Sequence, residues 1–143
     1  MKVLAVSISE RKGIKKHPVE YIELIEDYGI DGDAHAGKWH RQVSLLGVES
    51  MEAMKEKLPT LSAGDFAENI LTEGIVLYKL PIGTILKVGD CILEVTQIGK
   101  ECHLGCEIRH IVGDCVMPRE GIFTKVLKGG KIQAEDKIEI VEK

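Results

Sequence analysis

Large rings are scarce in this sequence. Aromatic residues fill only 4% of its 143 positions, so a core has to be built mainly from Val, Ile and Leu. Long apolar runs are missing as well: no stretch of about eighteen apolar residues occurs, which leaves no candidate for a membrane-crossing helix. The opening stretch, Met1 to Glu10, carries an apolar run too short and too broken for a secretory signal. A cytoplasmic setting is the resulting expectation, with reduced thiols rather than disulfides at the four cysteines. An excess of positive charge is also lacking. The formal net charge is −4, so neither nucleic acid nor a membrane is an expected partner. The sign does change locally, because Gly99 to Lys131 holds six bases against four acids. No Pro-, Ser- or charge-rich linker interrupts the chain, and its length suits one core, so a single domain over residues 1–143 is expected.

What is present reads as β-structure. Fifteen glycines supply the tight turns that such folds need. Lys2 to Ser9 alternates, with Leu4, Val6 and Ile8 on one face, and predicts a first strand. Val19 to Glu26 predicts a second, whose phase Tyr21 and Ile22 leave open. Gly29 to Gly37 is a glycine-rich loop, and Arg41 to Leu46 a short strand. Val48, Met51, Met54 and Leu58 fall at helical spacing until Pro59, which predicts about three turns of helix with its methionines in the core. Thr84 to Val88 and Cys91 to Ile98 flank Gly89-Asp90 as a hairpin. Ile122 to Leu127 and Asp136 to Val141 are the closing strands, with Gly129-Gly130 as a turn between shorter segments. Gly83–Val95 and Gly129–Val141 resemble each other at an offset of forty-six residues, which reads as recurring hairpin grammar rather than a duplicated domain. The expected fold is mainly β, a closed or nearly closed β-barrel with a few short helices.

Four segments can carry chemistry. In G-I-D-G-D-A-H-A-G (Gly29 to Gly37), Asp31, Asp33 and His35 alternate and can hold a cation; the loop amides with Lys38 and Arg41 can hold an anion instead. A rigid turn whose aspartates bond their own backbone is the plainer reading. In G-D-F-A-E-N-I (Gly64 to Ile70), Asn69 offers two donors and an acceptor beside Glu68, suited to a planar heterocycle, an oxyanion or a turn cap. In K-E-C-H-L-G-C-E-I-R-H-I-V-G-D-C (Lys100 to Cys115), Cys102 follows a strand exit, with Lys100, His103 and Arg109 to stabilise a thiolate and Glu101 opposing them. Three uses stay open there: a nucleophile or persulfide carrier at Cys102, a thiolate-rich metal site of Cys102, Cys106 and Cys115 with His103 or His110, or a Cys102–Cys106 redox pair. The C-x3-C-x8-C spacing lacks the paired C-x2-C knuckles of familiar zinc sites, so no stoichiometric zinc is expected. Cys91, at the start of a strand, suits a buried inert thiol. In the fourth segment, Val116 to Leu127, Arg119 precedes a strand bearing Lys125, an arrangement suited to phosphate or carboxylate, or to a solvated turn.

In this order the segments resemble the MOSC family, named for the carboxy-terminal domain of molybdenum-cofactor sulfurases, in its small stand-alone form. The matching elements are G-I-D-G-D-A-H, R-Q-V-S-L-L (Arg41 to Leu46), G-D-F-A-E-N-I, G-T-I-L-K-V-G-D, the strand leading into Cys102, and R-E-G-I-F-T-K-V-L-K-G-G. The resemblance implies a β-barrel and a role around the molybdenum cofactor: sulfur is accepted from a cysteine desulfurase and passed on, or the cofactor is held through a cysteine ligand to molybdenum. The family's characteristic cysteine maps onto Cys102, which is thereby the candidate catalytic residue and the candidate molybdenum ligand. Many members carry Pro before that cysteine, where this chain has Glu101. Cys106 and Cys115 are not required by the family pattern. Pyridoxal phosphate belongs to larger relatives; no lysine with a recognisable context for it occurs here, so sulfur has to arrive from a partner, a cysteine desulfurase or another protein of molybdenum cofactor biosynthesis.

The first functional expectation is therefore a sulfur carrier or cofactor-handling protein with sulfurtransferase-type activity. In it Arg41, Asn69 and Arg119 bind the oxyanions or pterin of the ligand. Glu68 and Lys125 count among the cofactor-binding residues, and Gly32, Asp33 and His35 shape the pocket rim. The rivals are a non-catalytic module for a pterin- or purine-like molecule and a thiolate metal-binding protein. Two expectations accompany the first reading: Asn69→Ala and Arg41→Ala weaken ligand binding while leaving the fold intact, and Cys102 reacts faster than Cys91.

Overall fold

Residues 1–11, 16–54, 63–64, 66–99 and 120–142 are described by the computed structural model. Their elements run β1 (Lys2–Ile8), β2 (His17–Val19), β3 (Tyr21–Ile25), β4 (Gly29–Ile30), β5 (Val43–Gly47), α1 (Val48–Met54), β6 (Ile70–Glu73), a 3-10 turn (Leu77–Lys79), β7 (Ile85–Val88), β8 (Cys91–Ile98), β9 (Ile122–Lys128), β10 (Gly130–Gln133) and β11 (Ile138–Glu142). The fold is mainly β, as the glycine content and alternation foretell. The β7–β8 hairpin forms where Gly89-Asp90 predicts it, with Val88 opposite Cys91 and Gly89 at φ +57°. The helix keeps Met51 in the core at 2% exposure; the expected continuation to Leu58 lies outside the described residues.

The inward faces differ from the expected ones where the chain leaves ideal pleat. In β1 the pairing with β6 slips between Val3 and Ala5. A bulge adds a residue to one strand and reverses the facing beyond it. Val3 and Val6 are therefore the buried pair, while Leu4 and Ile8 are only partly covered. In β3 strict alternation buries Ile22 and Leu24, which resolves the phase that Tyr21 left open. These side chains join Leu45, Ile70, Leu93 and Ile122 in one aliphatic core. Each such side chain, fully buried, contributes roughly 1.5–3 kcal/mol.

Eight strands form one sheet in the order β11-β7-β8-β9-β5-β6-β1-β2, and a second sheet has the order β10-β3-β4. Among the described residues only β5 and β6 pair in parallel. No continuous ladder among the described residues closes the expected closed or nearly closed barrel. The outer edge of β1 is divided: its second half takes β2, and its first half meets the chain entering β11 through an isolated Lys2–Lys137 bridge. Val3 N donates to Asp136 O at 2.8 Å, and Glu135 N donates to Val3 O at 2.8 Å. The forty-six-residue likeness does not produce two equivalent hairpins either. β7 pairs with β8 and with β11, whereas β10 pairs with β3 in the other sheet. No described helix is long and apolar enough to cross a membrane.

Candidate functional site

Gly32, at φ +85°, lets the chain turn out of β4 and bring Asp33 back beneath the end of β1. The Asp33 side chain is fully buried. Its Oδ1 accepts from Ser9 N at 3.1 Å and from Lys16 Nζ at 2.8 Å, and its Oδ2 accepts from His35 N at 3.1 Å. Lys16 Nζ, equally buried, also donates to Ser9 Oγ at 3.1 Å and lies 3.1 Å from His35 Nδ1. A buried ion pair holds only when such hydrogen bonds offset the lost hydration. Of the three readings of this loop, Asp33 fits the turn whose aspartate bonds the backbone, and the positive charge beside it is the protein's own ammonium. Among the described residues no three His, Cys, Asp or Glu groups are placed to hold a metal ion.

Glu68 and Asn69, singled out as ligand-reading residues, are each 1% exposed and serve the backbone. Glu68 accepts from Gly64 N at 2.7 Å and Phe66 N at 3.2 Å, tightening the turn before β6. Asn69 Oδ1 accepts from Ser44 N at 3.0 Å and Ser44 Oγ at 3.1 Å, and its Nδ2 donates to Ser7 O at 3.1 Å. Its amide therefore ties β1 to β5. This arrangement argues against the expectation that Asn69→Ala leaves the fold intact, because the substitution removes partners from groups on two strands.

Arg41 is placed differently. Its Nε donates to Gln97 Oε1 at 3.1 Å, an oxygen that also lies 2.8 Å from His40 Nε2. The guanidinium carbon sits 5.7 Å from the Trp39 ring and 5.5 Å from that of Phe123. Trp39 Nε1 donates to His35 O at 2.7 Å, with its ring nearly parallel to the imidazole at 6.3 Å. The Thr96 hydroxyl donates to His40 O, and Gln97 Nε2 donates to Gly99 O at 2.7 Å. A register shift between Val95 and Gln97 in the β8–β9 pairing accompanies the place where these side chains meet. Arg41 is thus fastened to the strand end from which the chain runs toward Cys102. Its terminal Nη groups have no hydrogen-bond partner among the described residues.

Lys125 instead lies 3.6 Å from Asp27 on the surface. Cys102, Cys106, Cys115 and Arg119 lie outside the described residues. Cys91 is fully buried, and burial first, then the carboxylates of Asp90, Asp136 and Glu23, push its thiol up to about 11. The residues that sequence reasoning missed are Lys16, Trp39 and Gln97. Lys16 follows Lys15 just before a short strand and looks like a solvated base. Trp39 alone offered a signal, as the chain's single tryptophan two residues from Arg41.

No curated protein matches the chain. Its fold is similar to that of the YUAD protein from Bacillus subtilis, with a TM-score of 0.78 at 19% identity over 96% of this chain and 93% of that one. It is also similar to YiiM from Geobacillus stearothermophilus, with a TM-score of 0.76 at 19% identity over 99% and 75%. YiiM from Escherichia coli gives 0.71 at 19% identity over 100% and 71%. At such identity these structures bear on the fold alone. The model of the MOSC domain matches residues 32–139, a span that takes in the Asp33 turn, Arg41 and the strands around them, and the chain belongs to the MOSC domain family.

Proposed function

We propose that this MOSC domain handles the molybdenum cofactor or the sulfur destined for it, with Cys102 as the sulfur-bearing nucleophile or the molybdenum ligand. The observation that carries the reading is Arg41: a guanidinium 5.7 Å from the Trp39 ring and 5.5 Å from the Phe123 ring, with its Nη groups unengaged among the described residues, tied to the end of β8. Cys102 follows Gly99 by three residues, a tether of at most about 11 Å. A guanidinium beside an indole suits a ligand that joins an oxyanion to a flat heterocycle, so the donor set fits a phosphate-bearing pterin. The cofactor, when bound, supplies the molybdenum centre. The protein supplies the anion contact through Arg41, a rim through Gly32–His35, and the thiol. We read the facing edges of β1 and β11 as the seam of a nearly closed barrel and the setting as cytoplasmic, where a thiol stays reduced.

In the sulfur-carrying step the Cys102 thiolate attacks the outer sulfur of a persulfide on a partner desulfurase. A new S–S bond forms at Cys102, the partner's S–S bond breaks, and the partner's cysteine leaves as thiolate. Pyridoxal phosphate stays with that partner. The cofactor-holding branch is tested by purifying the protein from a host that makes the cofactor and oxidising bound pterin to its fluorescent form. Wild type is expected to retain pterin and Arg41→Ala to retain about tenfold less, the order of one lost charge-assisted contact, with unchanged thermal unfolding. Wild-type protein free of pterin contradicts that branch. Equal retention by Cys102→Ser favours passive binding of a flat heterocycle, a reading that the Trp39–Arg41 pair also suits.

A further inference from the structure

We propose that Lys16 is a positioning residue that fixes the His35 imidazole in the tautomer carrying its proton on Nε2. Lys16 Nζ lies 3.1 Å from His35 Nδ1, while it is held by Asp33 Oδ1 at 2.8 Å and Ser9 Oγ at 3.1 Å. An ammonium has hydrogens to give and no lone pair. The Nδ1 that faces it therefore acts as the acceptor, and the ring proton belongs on Nε2. The rival arrangement puts a proton on Nδ1 and directs it at Asp33 Oδ2. That oxygen is 3.8 Å away and already accepts from His35 N, and the proton would confront the nearer ammonium. Ser9 fits the same polarity, since its hydroxyl spends its own hydrogen on Arg11 O at 3.0 Å and offers lone pairs to Lys16. The Lys16 side chain is fully buried, so its ammonium is held among these partners rather than in solvent.

The consequence concerns what His35 can do at the rim. Any group that meets Nε2 meets a donor, so the ligand atom recognised there is an acceptor, such as a phosphate or ring-carbonyl oxygen. This consequence rests on the proposed function; the tautomer does not.

The test is a long-range proton–nitrogen correlation spectrum of the ligand-free, uniformly labelled full chain near neutral pH. The His35→Gln variant identifies the His35 signals among the five histidines. The expected pattern is a protonated Nε2 and an unprotonated, hydrogen-bonded Nδ1. Lys16→Met is expected to turn this single tautomer into an averaged pair or an Nδ1–H form, and Ser9→Ala to leave it as it is. A wild-type ring protonated on Nδ1, or averaged between tautomers, overturns the proposal, as does an unchanged pattern in Lys16→Met. Should Lys16→Met fail to fold, the wild-type pattern still decides. Because no ligand is present, this outcome is independent of whether the protein retains pterin.

Discussion

Asn69 and Cys91 mark the two extremes of what one side chain discloses in advance. The amide of Asn69 was legible as a set of donors and acceptors, but not the Ser7 and Ser44 backbone that folds across it from 62 and 25 residues away. Removing it leaves Ser44 N and Ser7 O buried without these partners, each a cost of about 1–3 kcal/mol. Asn69→Ala is therefore expected to lower the unfolding free energy by about 3 kcal/mol in urea, and an unchanged midpoint would refute its role as a strut. Cys91 was legible as inert because it sits in an alternating apolar strand beside a tight turn. With its thiol pushed up to about 11, it stays protonated across the neutral range. In the unfolded chain the thiol ionises near its ordinary value of about 8.5. The stability it contributes is thus whole below that pH and is lost as pH rises through about 11. Timed maleimide labelling near neutral pH should leave Cys91 the slowest of the four thiols; rapid labelling of Cys91 in the folded chain would contradict its burial.

Elements were read well where one hairpin decides the register and poorly where distant segments do. The β7–β8 turn needs only Gly89-Asp90 and flanking alternation. The bulge in β1 depends on β6, some seventy residues on, and nothing within Lys2–Ile8 announces it. β10 went unread as a strand for a related reason. Its partner is β3, and Gly129 ahead of it passes so close to that strand that a Cβ would stand 2.3 Å from Leu24 O. A glycine taken for a turn residue is there for close approach instead. Gly64 makes the same point with a sharper consequence, since it combines φ +89° with a Lys16 carbonyl oxygen only 2.1 Å from where an alanine methyl would stand. Overpacking costs about 1–3 kcal/mol and the left-handed backbone about 1–2 more. Gly64→Ala is expected to lose about 3 kcal/mol in thermal or chemical unfolding and to shift the His35 ring signals, because Lys16 has to move. Wild-type stability in that variant would show that the turn yields without cost.

Across the whole molecule, the sequence motifs converge on two tasks rather than one. Glu68, Asn69 and Asp33 hold the ends of β1, β5 and β6 in place, with Lys16 as the hidden counter-ion. Arg41, with Gln97, His40 and Trp39, gathers where β8 ends. The MOSC membership was legible because the motifs lie in register along the chain, and the division of labour among them was not, because it depends on which polar groups the fold has already paired. The proposed chemistry rests on Cys102, three residues after Gly99 in the sequence. Its most direct test is intact mass spectrometry, with peptide mapping, after incubation with a cysteine desulfurase and cysteine. A gain of one sulfur atom per chain is expected, located on Cys102 and absent from Cys102→Ser. A chain that gains no sulfur, or carries it equally well after Cys102→Ser, would contradict the assignment of sulfur transfer to that residue.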